Sequence, residues 1–141
     1  MGECRHGSHS VFSIHLHLVW VTKYRYPVLE GELSQRVKAL IMEICRNQEV
    51  EILKGHMSKE HIHLLVSIPP QVTISRLVQR LKGKTSYVLL HEFAHLRKRY
   101  WGRHVWARGY FCCSSGNVTA EVIKAYIEDQ THDQGDNFRI E

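Results

Sequence analysis

The chain has 141 residues, with 19 lysines and arginines against 14 aspartates and glutamates, a net charge of +5 with histidine neutral, and 43% hydrophobic residues. This length makes one ordinary domain that can bury its own core, and the apolar share excludes a disordered chain. The basic excess suits a polyanionic partner without specifying one. Four cysteines, Cys4, Cys45, Cys112 and Cys113, form no CxxC pair. That pattern excludes a zinc ribbon and a disulfide framework and predicts a reducing, cytoplasmic setting. The polar first ten residues predict no secretory signal, and with no stretch of about twenty apolar residues no membrane span is expected.

In chain order, residues 11–21 alternate, with Ile14, Leu16, Leu18 and Trp20 against Ser13, His15, His17 and Val19. Period two predicts a half-buried strand. The basic segment TKYRYP closes it. Leu33, Val37, Leu40, Ile41 and Ile44 then recur at helical spacing, so residues 31–47 are an amphipathic helix. A second strand is expected over 50–57, a polar turn over 58–60, and a third strand over 61–68 that stops at Pro69-Pro70. Ile74, Leu77, Val78 and Leu81 open a second helix capped by Thr73. Residues 89–99 read as helical or irregular. A fourth strand of aromatic and basic residues is expected over 101–113, a turn at SSGN, and a last helix over 118–130. The tail 131–141 is polar and expected to fray. The order predicts a single α+β domain: a ferredoxin-like (split βαβ) antiparallel sheet, two helices on one face, and an added C-terminal helix.

The third strand, HIHLLVSI, places His61 and His63 on one face and Ile62, Leu64, Val66 and Ile68 on the other. The aliphatic side belongs to the core, so the histidines look out of the opposite face. Two imidazoles at i and i+2 on a strand can share one metal ion and leave positions open for substrate oxygens and water. With eleven histidines, roughly one HxH arises by chance, and a second, His15-Leu16-His17, sits on the first strand. On the last helix Val118, Val122, Ile123 and Ile127 form a stripe, with Tyr126 and Gln130 at i and i+4 within it. Glu121, Lys124 and Glu128 take the opposite side. An inward glutamine amide requires a partner. A metal ion supplies one; the ordinary alternative is a core tyrosine with a hydrogen-bonded glutamine.

HIHLLVSIPP, together with a tyrosine helix ending YIEDQ, resembles the TnpA-type single-tyrosine HUH transposases of small single-strand insertion sequences. WVTKYRYPVL, RLKGKTS and WGRHVWARGYF extend the resemblance from about His9 to Gln130. It implies Mg²⁺ or Mn²⁺ as cofactor, held by His61, His63 and Gln130, with Tyr126 as the nucleophile. It further implies single-stranded DNA with hairpins at the element ends as partner, and a homodimer with active sites shared between subunits. Tyrosine attack on a phosphodiester yields a phosphotyrosine and a free 3′-OH, and rejoining needs no ATP, in keeping with the lack of a P-loop motif. The stripe of the last helix would bury equally well on its own sheet or on a partner's.

HEFAH, from His91 to His95, matches the HExxH pattern of zinc proteases, but no third ligand is evident and a basic stretch follows at once. His15 and His17 share the facing of His61 and His63 and are candidates to support the site from beside it. Lys23, Tyr24, Arg25, Lys82, Lys84, Arg97, Arg99, Arg103 and Arg108, interleaved with aromatics, are candidate DNA contacts through phosphate attraction and base stacking. The rival reading is a non-catalytic single-stranded nucleic-acid-binding module of the same fold. It accounts for charge and aromatics but not for an inward Tyr126 and Gln130.

Overall fold

The structure, a computed structural model, describes residues 5–6, 11–12, 14–114, 116 and 120–132, with side chains described between 14 and 129. Ser115, Asn117 and Val118 of the expected turn and stripe lie outside the described residues, as do the Gln130 side chain and the tail 133–141.

Two short strands, β1 (Arg5–His6) and β2 (Val11–Phe12), pair with each other. The main sheet is built from β3 (His15–Val21), β4 (Glu51–Met57), β5 (His61–Ser67) and β6 (Phe111–Ser114), in the order β4-β5-β3-β6 and antiparallel throughout. The helices are α1 (Gly31–Asn47), α2 (Ile74–Glu92), the short α3 (Ala94–Arg99) and α4 (Ala120–His132). This is the expected ferredoxin-like sandwich. Leu16, Leu18 and Trp20 of β3 and Ile62, Leu64 and Val66 of β5 meet Val37, Ile41 and Ile44 of α1 and Leu77, Val78 and Leu81 of α2 in one core. Each such side chain contributes roughly 1.5–3 kcal/mol by leaving water. Thr73 caps α2 as expected, its hydroxyl accepting from the Arg76 N–H at 3.4 Å.

Two expected strands prove shorter than their sequence pattern. The alternation over residues 11–21 is split, and the β3–β5 ladder ends where Ile68 donates to the Ile14 carbonyl. Pro69 and Pro70 have no N–H with which to carry it further. Of residues 101–113 only the end is strand. Residues 101–110 form a loop in which Trp101, Gly102 and Gly109 take left-handed backbone, φ 53°, 69° and 83°. An extended ladder cannot pass through such residues. The loop is fastened instead to the end of β3 and the turn after it, by Lys23 N–H to Val105 carbonyl at 2.7 Å and Ala107 N–H to Val21 carbonyl at 2.8 Å.

Below this loop the Trp106 indole N–H donates to the buried Thr85 hydroxyl at 2.8 Å, and Thr85 donates to the Leu81 carbonyl at 2.5 Å. Thr85→Val keeps the shape and orphans the indole N–H. It is expected to destabilise the protein by about 1–3 kcal/mol, read as a lower urea midpoint at unchanged slope.

Candidate active site on the histidine face of the sheet

Strand register assembles a face opposite the core. His17 on β3 pairs with Leu65 on β5 and with Cys113 on β6; Val19 pairs with His63 and with Phe111; His63 pairs in turn with His56 on β4. One row thus crosses all four strands as Phe111, Val19, His63 and His56. Five of the eleven histidines, His15, His17, His56, His61 and His63, lie on strand positions that share this face. His56 was not anticipated from sequence. Its strand, EILKGHM, shows no alternation, and only the cross-strand pairing brings it beside His63. Cys112 faces the core and Cys113 the histidine side, so the adjacent cysteines do not act together.

The histidines touch. His17 Nδ1 lies 2.8 Å from His63 Nε2, and the rings are 5.0 Å apart. His61 Nδ1 lies 2.6 Å from Ser58 Oγ and 3.6 Å from Glu60 Oε1, and its ring is 5.9 Å from that of His56. Burial, and then the neighbouring His17, His56 and His61, push the His63 imidazole down to about 4. Burial likewise lowers His61, with Glu60 pulling the other way, and it lowers His17. A histidine depressed in the folded state binds its proton later than in the unfolded chain. Between the ordinary value of about 6.5 and about 4 the unfolded state therefore holds more protons, and stability falls as the pH falls across that window. Metal-free protein is expected to lose thermal stability as pH drops through it, and His63→Asn is expected to flatten the fall in a series of melting curves.

The last helix arrives on this same face. Ile127 is buried against Val19 and Val21, with Ile123, Tyr126 and Phe111 packed beside them. The Tyr126 ring is 5.6 Å from Phe111. Phe111 stands two strands, about 10 Å, from His63 in the same row, so Tyr126 packs on the same sheet face as the imidazole. Glu121, Lys124 and Glu128 are exposed as expected, but so is Val122, which leaves the apolar stripe narrower than the helical wheel implies. Helix α4 touches β3 and the basic turn Lys23–Arg25, so in the single chain it rests on its own sheet. Gln130 falls one turn beyond Tyr126 on this helix.

A divalent ion is the group the sequence resemblance implies. Neutral imidazole is the form that binds metal, and burial holds His61 and His63 neutral. Among the described residues no three His, Cys, Asp or Glu side chains gather as a ligand set. Two imidazoles leave the remaining positions to amide, water or phosphate oxygens, an open set that suits an ion acting on substrate. The residues fit the group, on the condition that the His17 contact parts if His63 Nε2 is to be a ligand.

The structure separates the other candidates. His91 ends α2 and His95 belongs to α3, with the chain broken between them at Phe93, φ −118° and ψ 101°. The two histidines of HEFAH are therefore not on one helix, and Glu92 is bound to Arg36 at 2.9 Å. Lys82, a candidate DNA contact that lines the cleft described below, donates to the carbonyls of Ala107 and Gly109, both at 2.7 Å, and so pins the 101–110 loop. Arg97 similarly donates to the Leu90 and His91 carbonyls. Arg25 pairs with Glu60, Lys84 lies 3.9 Å from Glu43, and the Arg99 guanidinium lies over Tyr26, 4.0 Å from the ring centre. Lys23, Tyr24, Arg103 and Arg108 line a cleft of about 1310 Å³ between α2 and the 101–110 loop. At its wall the Tyr87 ring, 69% exposed, stacks on His91 at 5.4 Å. No helix among the described residues is long and apolar enough to cross a membrane.

The fold is shared with solved structures of transposases. Residues 10–130 match the family described as Transposase IS200 like. The chain is 34% identical over 130 residues to the transposase for insertion sequence element IS200 of Salmonella typhimurium, covering 92% of this chain and 85% of that one. It is 31% identical over 132 residues to the ISDra2 transposase TnpA of Deinococcus radiodurans, covering 94% of each. The crystal structure of a protein described as a transposase from Deinococcus radiodurans superposes with a TM-score of 0.82 at 30% identity, over 89% of this chain and 97% of that one. A REP-associated tyrosine transposase bound to a REP hairpin shares the fold, with a TM-score of 0.55 at 13% identity over 91% and 69%. The chain belongs to the IS200-like transposase family and is a DNA transposase.

Proposed function

We propose that this transposase cleaves and rejoins single-stranded DNA at insertion-sequence ends, with Tyr126 as nucleophile and a 5′-phosphotyrosine as intermediate. The observation that carries this reading is the shared face: α4 seats Tyr126 over Phe111, and Phe111 stands in one cross-strand row with His63. The phenol oxygen attacks the scissile phosphorus, the bond to the 3′ oxygen breaks, and that oxygen leaves as a hydroxyl. Attack by a 3′-OH on the phosphotyrosine reverses the exchange, so no nucleotide hydrolysis is needed. Bound by His61, His63 and Gln130, Mg²⁺ or Mn²⁺ would supply charge neutralisation at the phosphate. The packing of Tyr126 against Phe111 and Ile123 holds the ring in place and keeps it in an apolar corner.

DNA hairpins near the element ends are the proposed partner, supported by the hairpin-bound relative and by the cleft lined by Lys23, Arg103 and Arg108. Exposed Tyr87 and Trp101, the latter 79% accessible, offer stacking surfaces for unpaired bases. A cytoplasmic setting, in which the free thiols of Cys45, Cys112 and Cys113 persist, belongs to the same reading. The test is incubation with labelled single-stranded hairpin DNA and Mg²⁺, followed by a denaturing gel. A protein–DNA adduct is expected; tight binding without any adduct favours the non-catalytic binding module.

The active form in this reading is a homodimer with the tyrosine helix of one subunit serving the histidines of the other. Support comes from the footing of α4 among the described residues, where Ile123, Tyr126 and Ile127 meet Val19, Val21 and Phe111, a patch that a second copy of the sheet would offer equally. Mixing Tyr126→Phe with His61→Ala subunits, each inactive alone, is expected to restore about one active site per mixed dimer if sites are shared. A mixture that stays dead places each tyrosine with its own histidines.

A further inference from the structure

We infer that Glu60, clamped by Arg25, is a positioning residue that fixes His61 as the Nδ1–H tautomer and so presents Nε2 as the nitrogen with a free lone pair. This rests on the proposed reading of His61 as a metal ligand. The carboxylate is used at both ends: Oε2 lies 3.3 Å from Arg25 Nε, and Oε1 lies 3.6 Å from His61 Nδ1. A carboxylate only accepts, so the nitrogen it faces is stabilised when it carries the hydrogen. Ser58 Oγ, 2.6 Å from the same nitrogen, is compatible with that assignment because its own hydrogen has a second acceptor, the His61 carbonyl at 3.5 Å. The same hydroxyl oxygen faces the backbone N–H groups of His61 at 3.2 Å and Glu60 at 3.4 Å, which marks it as an acceptor within this turn.

The backbone is bent to make the clamp. Tyr24 and Arg25 are consecutive non-glycine residues in left-handed conformation, φ 61° and 54°. The Thr22 N–H donates to the Glu60 carbonyl at 2.8 Å, tying the two turns together so that Arg25 meets the Glu60 side chain. Strained backbone of this kind persists where surrounding contacts impose it, and it concentrates at functional sites. A carboxylate or carbonyl behind a histidine, setting its tautomer and ring orientation, is a recurrent way of preparing that histidine for a metal.

The tautomer can be read without any metal, from long-range ¹H–¹⁵N spectra of histidine-labelled protein at neutral pH. His61 is expected to show a protonated Nδ1 and a bare Nε2. Glu60→Ala, and the size-conserving Glu60→Gln, are expected to give a mixture of tautomers and to weaken Mn²⁺ binding, measured by calorimetry, by about tenfold or more. Ser58→Ala is expected to keep the Nδ1–H form. A protonated Nε2 in the unaltered protein, an unchanged tautomer in both Glu60 variants, or a switch caused by Ser58→Ala alone overturns the inference. Failure of the unaltered protein to bind Mn²⁺ overturns the metal reading instead, and is distinguishable because the tautomer is measured in its absence.

Discussion

Tyr126→Phe is expected to leave fold and DNA binding intact and to abolish the covalent adduct completely. The substitution removes one hydroxyl and keeps the ring that packs on Phe111 beside Ile123 and Ile127. Its effect on stability should be within about 1 kcal/mol. Its effect on chemistry is total, because a phenyl ring has no oxygen to form the ester. The measurement pairs a binding isotherm on a labelled hairpin with a denaturing gel. Should the variant still become linked to DNA, another tyrosine is the nucleophile, and Tyr24 and Tyr110, both lining the cleft, are the next to substitute.

His61→Ala and His63→Ala should each reduce metal-dependent cleavage by on the order of a thousandfold or more, the rate equivalent of losing several kcal/mol of charge stabilisation at the phosphate. Both lie on the sheet face that carries Tyr126, with their aliphatic neighbours Ile62 and Leu64 turned into the core. Gln130→Ala should cost less, since a neutral amide oxygen is a weaker ligand than imidazole. His91→Ala and His95→Ala should leave cleavage nearly unchanged, because those side chains stand on two helices separated by the break at Phe93. Initial rates across a Mg²⁺ or Mn²⁺ titration check the set. A dead His91 variant beside an active His61 variant would move the site to the other side of the molecule.

The elements with strong periodicity were legible from sequence. Helix α1 runs over Gly31–Asn47, where Leu33, Val37, Ile41 and Ile44 mark one face, and the third strand keeps its histidines and aliphatic residues on opposite sides. What failed was local geometry that periodicity does not encode. Residues 101–110 are rich in strand-forming aromatics, yet Trp101, Gly102 and Gly109 turn the backbone left-handed and Lys82 holds the loop from a position on α2 25 and 27 residues before the carbonyls it binds. The same contact gives Lys82, which also lines the cleft, a structural role that sequence does not show: a lysine looks identical whether its ammonium meets phosphate or two carbonyls. The neighbourhood of the histidines was half visible. Placing His17 beside His63 followed from the strand order of the fold, whereas His56, Ser58 and Glu60 join the site only through pairing register and the turn between β4 and β5.

The left-handed turn at Tyr24 and Arg25 also has a meaning for protein engineering. Each non-glycine residue in that conformation raises the energy of the folded chain by about 1–2 kcal/mol relative to an unstrained backbone. Glycine would relax it, so a screen for heat resistance should be drawn to substitutions here. At Arg25 the gain would come with loss of the guanidinium that holds Glu60, and at Tyr24 with loss of a ring that packs on Tyr26 and lines the cleft. A screen ranked on stability alone is therefore expected to gain heat resistance at this turn by giving up the clamp on Glu60.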